Sequence, residues 1–325
     1  MDDDYRTVGR GVPGSAGHAM CRGAFTIING IATGNGGACG VELRLLARVE
    51  LTDRPGVVAL QARGPLVGPG PDDSLARACA ARLLAMKGGG EAEAFGVLVE
   101  TVSEIPASRG LKSSSAAANA ILLAGLEALG EQMEPLDVVG MGVDCAVDAG
   151  VTLTGAFDDA VATMFGGAVL TDNERRSILT WPEVRDDLRV LFLVPQRTIT
   201  KASLHREDFA PAREEVQRAF DLARAGDLAK AITLNGRAYA PILGVDNGPA
   251  DAALAAGAWA AGMTGTGPAI AVLCTVEDLE AVLAALAPFQ GTLVRTGVNR
   301  EPGRALTPAE YARMRDEIMG GATPG

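Results

Sequence analysis

This 325-residue sequence predicts an α+β fold in two domains. Three features lead there. Strand-like and helix-like segments come in blocks rather than in strict alternation. The length suffices for two separate cores. Hydrophobic residues at 48% and charged residues at 21% match a folded globular chain rather than a disordered one. Aromatics are only 4%, so the cores must rest on Ala, Val and Leu.

The elements follow in order. "GAFTIING" has β character, "IATGNGGACG" is a glycine-dense connection, and "VELRLLARVEL" partly alternates as a half-buried strand does. "RGPLVGPGPDD" reads as a loop. "SLARACAARLLAM" is helical, with Ser74 at its start and Gly88 to Gly90 as its stop. "EAFGVLVETVSEIP" is a strand ending at Pro106, followed by a helix that opens near Ser113 and closes near Gly130. "EPLDVVGMGVDCAVDAG" is a further helix, "VTLTGAFDDAVATMFGG" a turn feeding a helix, and "GGAVLTDNERRSILTW" a hairpin. "LRVLFLVP" is a buried strand, and "PAREEVQRAFDLARAGDLAKAITLNG" is helical. "AIAVLC", "VEDLEAVLAALAPF" and "TLVRTGV" read strand, helix, strand. A boundary near Gly166 and Gly167 divides the chain into 1–165 and 166–325.

The bulk charge excludes several roles. A net charge of −11 with scattered basic residues leaves no cationic footprint for nucleic acid. The first ten residues, "MDDDYRTVGR", are acidic and unlike a signal peptide, and no apolar run is long enough for a bilayer. Five cysteines, Cys21, Cys39, Cys79, Cys145 and Cys274, are widely spaced without a C-x-x-C pair, which suits reduced thiols. A cytoplasmic protein, monomer or homodimer, without membrane partner is expected.

A phosphate-binding device is visible, and it is not one of the two commonest. None of the four lysines follows a glycine, so there is no Walker loop. The glycines at 34, 36, 37 and 40 do not fit G-x-G-x-x-G. Residues 105–124, "IPASRGLKSSSAAANAILLA", instead bring a strand end, a Pro/Gly loop, a lysine and three serines to the mouth of a helix. Unpaired N–H groups and the helix dipole favour an anion there. Serine N-capping of an alanine-rich helix is the plainer alternative.

"PASRGLKSSSAAA" resembles the second motif of the GHMP kinases, usually P-x-x-x-G-L-G-S-S-A, with Lys112 in place of the middle glycine. The archaeal shikimate kinases of that superfamily share this departure. "GAFTIINGIATGNGGACGVEL" is similar to their N-terminal glycine-rich block and "AGVTLTGAFDDAVATMFGG" to their acidic motif. "GDLAKAITLNGRAYAPILG" is similar to their C-terminal helical segment, and "AAGMTGTGPAIAVL" to the third GHMP motif. The resemblance covers nearly the whole chain. It implies the GHMP kinase fold, with a ribosomal-protein-S5-like N-terminal domain and a ferredoxin-like C-terminal one. It further implies ATP and Mg²⁺, and phosphoryl transfer to the 3-hydroxyl of shikimate on the route to chorismate. Homoserine or mevalonate phosphorylation, or a silent metabolite-binding role, are the alternatives.

The resemblance places the ATP phosphates on Pro106, Ala107, Ser108, Arg109, Gly110, Leu111, Lys112, Ser113, Ser114 and Ser115. Ser114 corresponds to the Mg²⁺ hydroxyl, and Lys112 and the other two serines would touch phosphate. A carboxylate should complete the metal site. Asp144 and Asp148, at i and i+4, share one side of a helix, and the sequence does not choose between them. Asp158 best matches the aspartate that would take the acceptor's proton, with Asp159 as runner-up. Thr26, Asn29 and Thr33 could meet acceptor hydroxyls, and Thr264, Gly265, Thr266 and Gly267 would close over the site. The acceptor's carboxylate wants an arginine, for which Arg109 is near in sequence. His18 and His205 read as structural or surface residues, and Tyr239 and Trp259 as packing rather than adenine stacking.

Overall fold

A computed structural model describes residues 12–56, 58–64, 72–86, 95–152, 154–197, 199 and 204–320. The acidic first ten residues, the helix stop at Gly88 to Gly90 and most of the 63–73 loop lie outside the described residues.

The first sheet is built on a long hairpin. β1 (Ala16–Ile28) and β2 (Asn35–Thr52) pair antiparallel from Ala16↔Glu50 to Ile28↔Gly37, with register shifts near Arg22 and Thr26. β2 starts inside the stretch that its glycines suggest is a connection, so the turn shrinks to six residues, 29–34. The far half of β2 pairs with β4 (Gly96–Ser103), which runs parallel to β3 (Val58–Arg63). Its near half pairs with β5 (Ala168–Asp172), which in turn pairs with β6 (Ser177–Thr180). Four helices accompany this sheet: α1 (Ser74–Met86), α2 (Ser113–Leu129), α3 (Pro135–Asp148) and α4 (Phe157–Phe165).

A second, antiparallel sheet holds β7 (Arg189–Val194), β8 (Ala260–Met263), β9 (Ile270–Cys274) and β10 (Thr292–Gly297) in the order β10-β7-β9-β8. α5 (Arg213–Arg224), α6 (Leu228–Tyr239), α7 (Gly248–Ala255) and α8 (Leu279–Leu286) belong to this half. The single helical stretch read in the sequence is thus two helices, broken by a left-handed Gly226. A 3₁₀ segment, Arg206–Ala212, leads into α5.

The division near Gly166 is not a clean one. β5 and β6 follow it yet extend the first sheet, and the second sheet opens only at Arg189. The chain then returns: β11 (Arg304–Ala305) pairs with β1, and α9 (Pro308–Met319) packs over it. Met20, Leu46, Val102, Leu306, Tyr311 and Ile318 form a small separate cluster beneath α9. Sequence patterning misses α9, although its capping box of Thr307 and Glu310 is visible in "TPAE". Hydrophobic periodicity fails there because α9 buries only Tyr311 and Ile318.

The main core is aliphatic and runs through both halves. Its alanine content matters for the site, because small residues let α2 sit hard against β1. A Cβ on Gly17 of β1 would lie 2.0 Å from the Ala124 carbonyl of α2 and 2.7 Å from the Ala128 nitrogen. All five cysteines are buried free thiols. Among the described residues no helix is long and apolar enough to cross a membrane.

Gly17→Ala should therefore push α2 off the sheet. A loss of about 1–3 kcal/mol is expected from overpacking, read as a lower urea midpoint with unchanged slope. An unchanged midpoint would contradict the close approach.

Candidate active site

Local backbone strain shapes the mouth of α2. Ser108, Gly110 and Lys112 all have positive φ, at 56°, 91° and 64°. For Ser108 and Lys112 this left-handed conformation costs on the order of 1 kcal/mol each. Lys112 is the N-cap of α2 but makes no side-chain cap. The N–H groups of Ser113, Ser114 and Ser115 have no acceptor among the described residues, and their half-buried hydroxyls stand beside them. Leu111, 1% exposed, anchors the loop, and its carbonyl accepts from the Ala24 N–H of β1.

The left-handed turn at Lys112 sends its side chain inward rather than out of the loop mouth. Nζ donates to Thr26 Oγ1 at 2.6 Å and lies 2.9 Å from Asp159 Oδ1. The lysine is 7% exposed and the aspartate 16%, so this is a largely desolvated ion pair. The same Thr26 oxygen accepts the Gly265 N–H at 2.8 Å, and the Thr26 N–H donates to Thr264 Oγ1. Thr264 Oγ1 in turn donates to the Gly110 carbonyl at 3.1 Å. A Cβ at Gly110 would lie 2.1 Å from the Thr264 carbonyl, so the two glycine turns touch through their backbones. Asn29 adds a tie, with Nδ2 donating to the Gly265 carbonyl at 2.8 Å. The glycine-rich block, the serine loop and the third motif therefore meet at one place. Thr266 makes no side-chain bond among the described residues, and Thr33 bonds only within its own turn, to Asn35.

The acidic motif forms the floor. Asp158 is 4% exposed, and its Oδ1 accepts from Asn173 Nδ2 at 2.9 Å. The Asp158 N–H donates back to Asn173 Oδ1, so one asparagine both caps α4 and aims the carboxylate. Burial, and then the neighbouring charge of Asp159, push the Asp158 carboxyl up to about 7, against the pull of Lys112 and Asn173. Asn119 of α2, fully buried, donates to the Ala160 carbonyl and to Thr163 Oγ1, locking α4 to the phosphate helix.

Arg109 and the Asp144/Asp148 pair have partners of their own. Arg109 places Nε on the Pro195 carbonyl and a terminal nitrogen on the Gln196 carbonyl. Asp144 and Asp148 do not converge on one point. Asp144 pairs with Arg176 in the β5–β6 turn at 2.7 Å, and Asp148 with Arg82 of α1 at 2.9 Å. Spacing fixes a helix face, but a carboxylate at each edge of that face meets a different neighbour. Among the described residues no group of three His, Cys, Asp or Glu side chains could hold a metal ion.

Sequence reasoning missed Asn173 and Asn119, because a buried asparagine is defined by what it meets in three dimensions. Tyr239, read as packing, is buried, but its hydroxyl also donates to the Asn29 carbonyl and accepts the Ala32 N–H.

The motifs agree with known proteins. Residues 74–167 match the GHMP kinases N terminal domain and residues 217–291 the GHMP kinases C terminal family. A shikimate kinase of Methanothrix thermoacetophila is 40% identical over 290 residues, covering 89% of this chain and 96% of that one. One from Pyrococcus abyssi is 39% identical over 285 residues, 87% of this chain and 99% of that one. Among solved structures, homoserine kinase from Cytophaga hutchinsonii aligns with TM-score 0.69 at 19% identity, covering 90% of this chain and 98% of that chain. L. major mevalonate kinase in complex with R-mevalonate aligns at 0.67 and 16% identity, covering 91% and 98%. At such identities the two structures speak for the fold alone.

Asp158 gives a stability test. The folded chain holds this proton up to about pH 7, whereas the unfolded chain releases it near the ordinary value of 3.8. Between those values the folded state binds more protons, so stability from this group is full below about pH 4 and lost as pH rises through about 7. Asp158→Asn should thus be more stable than wild type at pH 8, with the difference shrinking at pH 5. Urea midpoints that differ equally at both pH values would refute it.

Proposed function

This chain belongs to the GHMP kinases and, within them, to the family of the archaeal shikimate kinases, and from that premise we propose how its site works. The reaction is transfer of the ATP γ-phosphoryl group to the 3-hydroxyl of shikimate, giving shikimate 3-phosphate and ADP. The observation that carries the mechanism is the Lys112 bridge, which puts a cation between the serine cradle and the acid pair.

The triphosphate would lie on the free N–H groups and hydroxyls of Ser113 to Ser115, where the α2 dipole favours negative charge. Gly110 and Gly265, backbone against backbone, hold that cradle against the third motif. Lys112 would offset charge on the phosphoryl group as it moves, the main task in this chemistry. Asp158 is the proposed base. A carboxyl poised near 7 takes an acceptor proton more readily than an ordinary aspartate, and Asn173 aims it. Asp159 keeps Lys112 in place. Thr26 and Asn29 serve as supports rather than as free substrate ligands, because their side chains are bonded to the third motif.

Mg²⁺ would arrive with the nucleotide and neutralise charge shared by the phosphates. Ser114 would supply a protein oxygen, and Asp144 is the proposed carboxylate. It faces the β5–β6 turn that carries Asn173, whereas Asp148 faces α1. A cytoplasmic setting belongs to the same proposal and is supported by five buried free thiols.

Purified protein with Mg-ATP should release ADP with shikimate and not with homoserine or mevalonate. Asp158→Asn should lower kcat by about 10²- to 10⁴-fold, with Asp159→Asn less affected. Wild-type activity in Asp158→Asn would remove that residue as base. In the pH profile, activity should fall as pH drops through about 7, where Asp158 takes up its proton. Lys112→Met removes the charge that holds this carboxyl down, so the acid limb of its residual activity should move to higher pH.

A further inference from the structure

Arg109, the arginine that sequence proximity offers for the acceptor's carboxylate, commits Nε and one terminal nitrogen to the Pro195 and Gln196 carbonyls. Arg176 is likewise engaged, by Asp144. We propose that Arg206 reads the acceptor's carboxylate, an inference that rests on the reaction proposed above.

Arg206 opens the 3₁₀ segment that leads into α5, so it belongs to the second half of the chain, yet it reaches the first. Its Nε donates to the Ile31 carbonyl at 3.2 Å, in the turn between β1 and β2. One terminal nitrogen lies 2.6 Å from Glu174 Oε1, in the β5–β6 turn. The other terminal nitrogen has no partner among the described residues. Glu174 is the residue after Asn173, which aims Asp158. The Asn173 N–H donates to the Gly34 carbonyl, and the Glu174 carboxylate rests against Gly34, where a Cβ would lie 3.0 Å from its Cδ. The guanidinium is therefore tied at two points to the two turns that flank the proposed base.

An open cleft of about 620 Å³ lies between Thr33 and the start of α5, with neither Arg206 nor Asp158 in its lining. Thr33 lines one side, two residues from the carbonyl that holds Arg206. Ala210 and Pro211, from the segment that Arg206 begins, line the other with Arg213 and Arg218 of α5. A hydroxy acid bound beside these two turns would present its carboxylate to a guanidinium already held at two points. A planar fork suits a carboxylate better than a point charge does, and fixing it beforehand reduces the ordering needed on binding. Glu174 then has a definite role: it orients the arginine and leaves one terminal nitrogen without a partner among the described residues. The pair is exposed, at 46% for Arg206 and 61% for Glu174, so its surroundings do not require it for packing.

The test compares shikimate with its uncharged methyl ester at saturating ATP, in wild type, Arg206→Ala and Arg206→Lys. Arg206→Ala should raise the KM for shikimate about 10- to 100-fold, the usual effect of losing bonds to a charged group. Its KM for ATP and its kcat should change less than about threefold. Wild type should prefer the acid over the ester, Arg206→Ala should lose that preference, and Arg206→Lys should regain part of it. Because the preference is a ratio from one preparation, a reduced folded fraction does not alter it. If Arg206→Ala fails to fold, the ratio in Arg206→Lys and Arg206→Gln decides. A retained preference overturns the inference. So does its loss in Arg213→Ala or Arg218→Ala rather than in the Arg206 variants. A wild type that is inactive on shikimate fells the proposed reaction, and this inference with it, whereas an active wild type with an unmoved ratio fells the inference alone.

Discussion

The contact between Lys112, Thr26 and Asp159 is the constraint on which the site depends. A lysine here enters the left-handed region, gives up its place as a helix cap and loses most of its hydration. Those costs are offset because one ammonium group meets a carboxylate and a hydroxyl from two other segments. The hydroxyl it meets also accepts the backbone N–H of Gly265, so three motifs far apart in sequence share one oxygen. A surface lysine in the same loop would leave the phosphate cradle unconnected to the acids.

Stability and chemistry pull in opposite directions around that contact. Sealing Asp158 beneath the glycine-rich strand raises its proton affinity, which suits a base and penalises its charged form. A Cβ at Gly36 would lie 2.6 Å from the Asp158 carboxyl carbon, so the glycines of β2 leave room for the acid as well as turning the chain. Ala156, the N-cap of α4, is left-handed like Lys112, and neither caps its helix with a side chain. For α4 the missing cap comes from Asn173, which shows why removing a distant turn residue would disturb the acid motif.

How much of this was legible in the sequence depended on how local each signal is. The strand, loop and serine-rich helix start at 105–115 are written in adjacent residues, and they form as read. So do α1, α3 and α4, whose helical patterning is local even though Asn173 supplies the cap of α4. The direction of Lys112 was not legible, because it follows from a positive φ that its neighbours impose. The spacing of Asp144 and Asp148 gave their helix face correctly, but not the two arginines that draw them to different sides. Asn119 and Asn173 carry no sequence signal, since a buried polar residue is explained only by its partners. Glycines at 166 and 167 mark a turn between α4 and β5 inside the first sheet, so a boundary there follows the sequence motifs rather than the sheet.

That topology has a consequence for how the molecule assembles. The second sheet, from Arg189 to Gly297, is an insertion within the first half, because β11 and α9 come back to β1. Ala19 cannot find its partner Ala305 until almost the whole chain has been synthesised. During translation the edge of β1 is therefore open, while the inserted half can complete its own sheet from contiguous chain. The last segment acts as a clasp, closing an unpaired edge that would otherwise invite association with another nascent chain. Completion of the fold and pairing of this strand edge are thus the same late event.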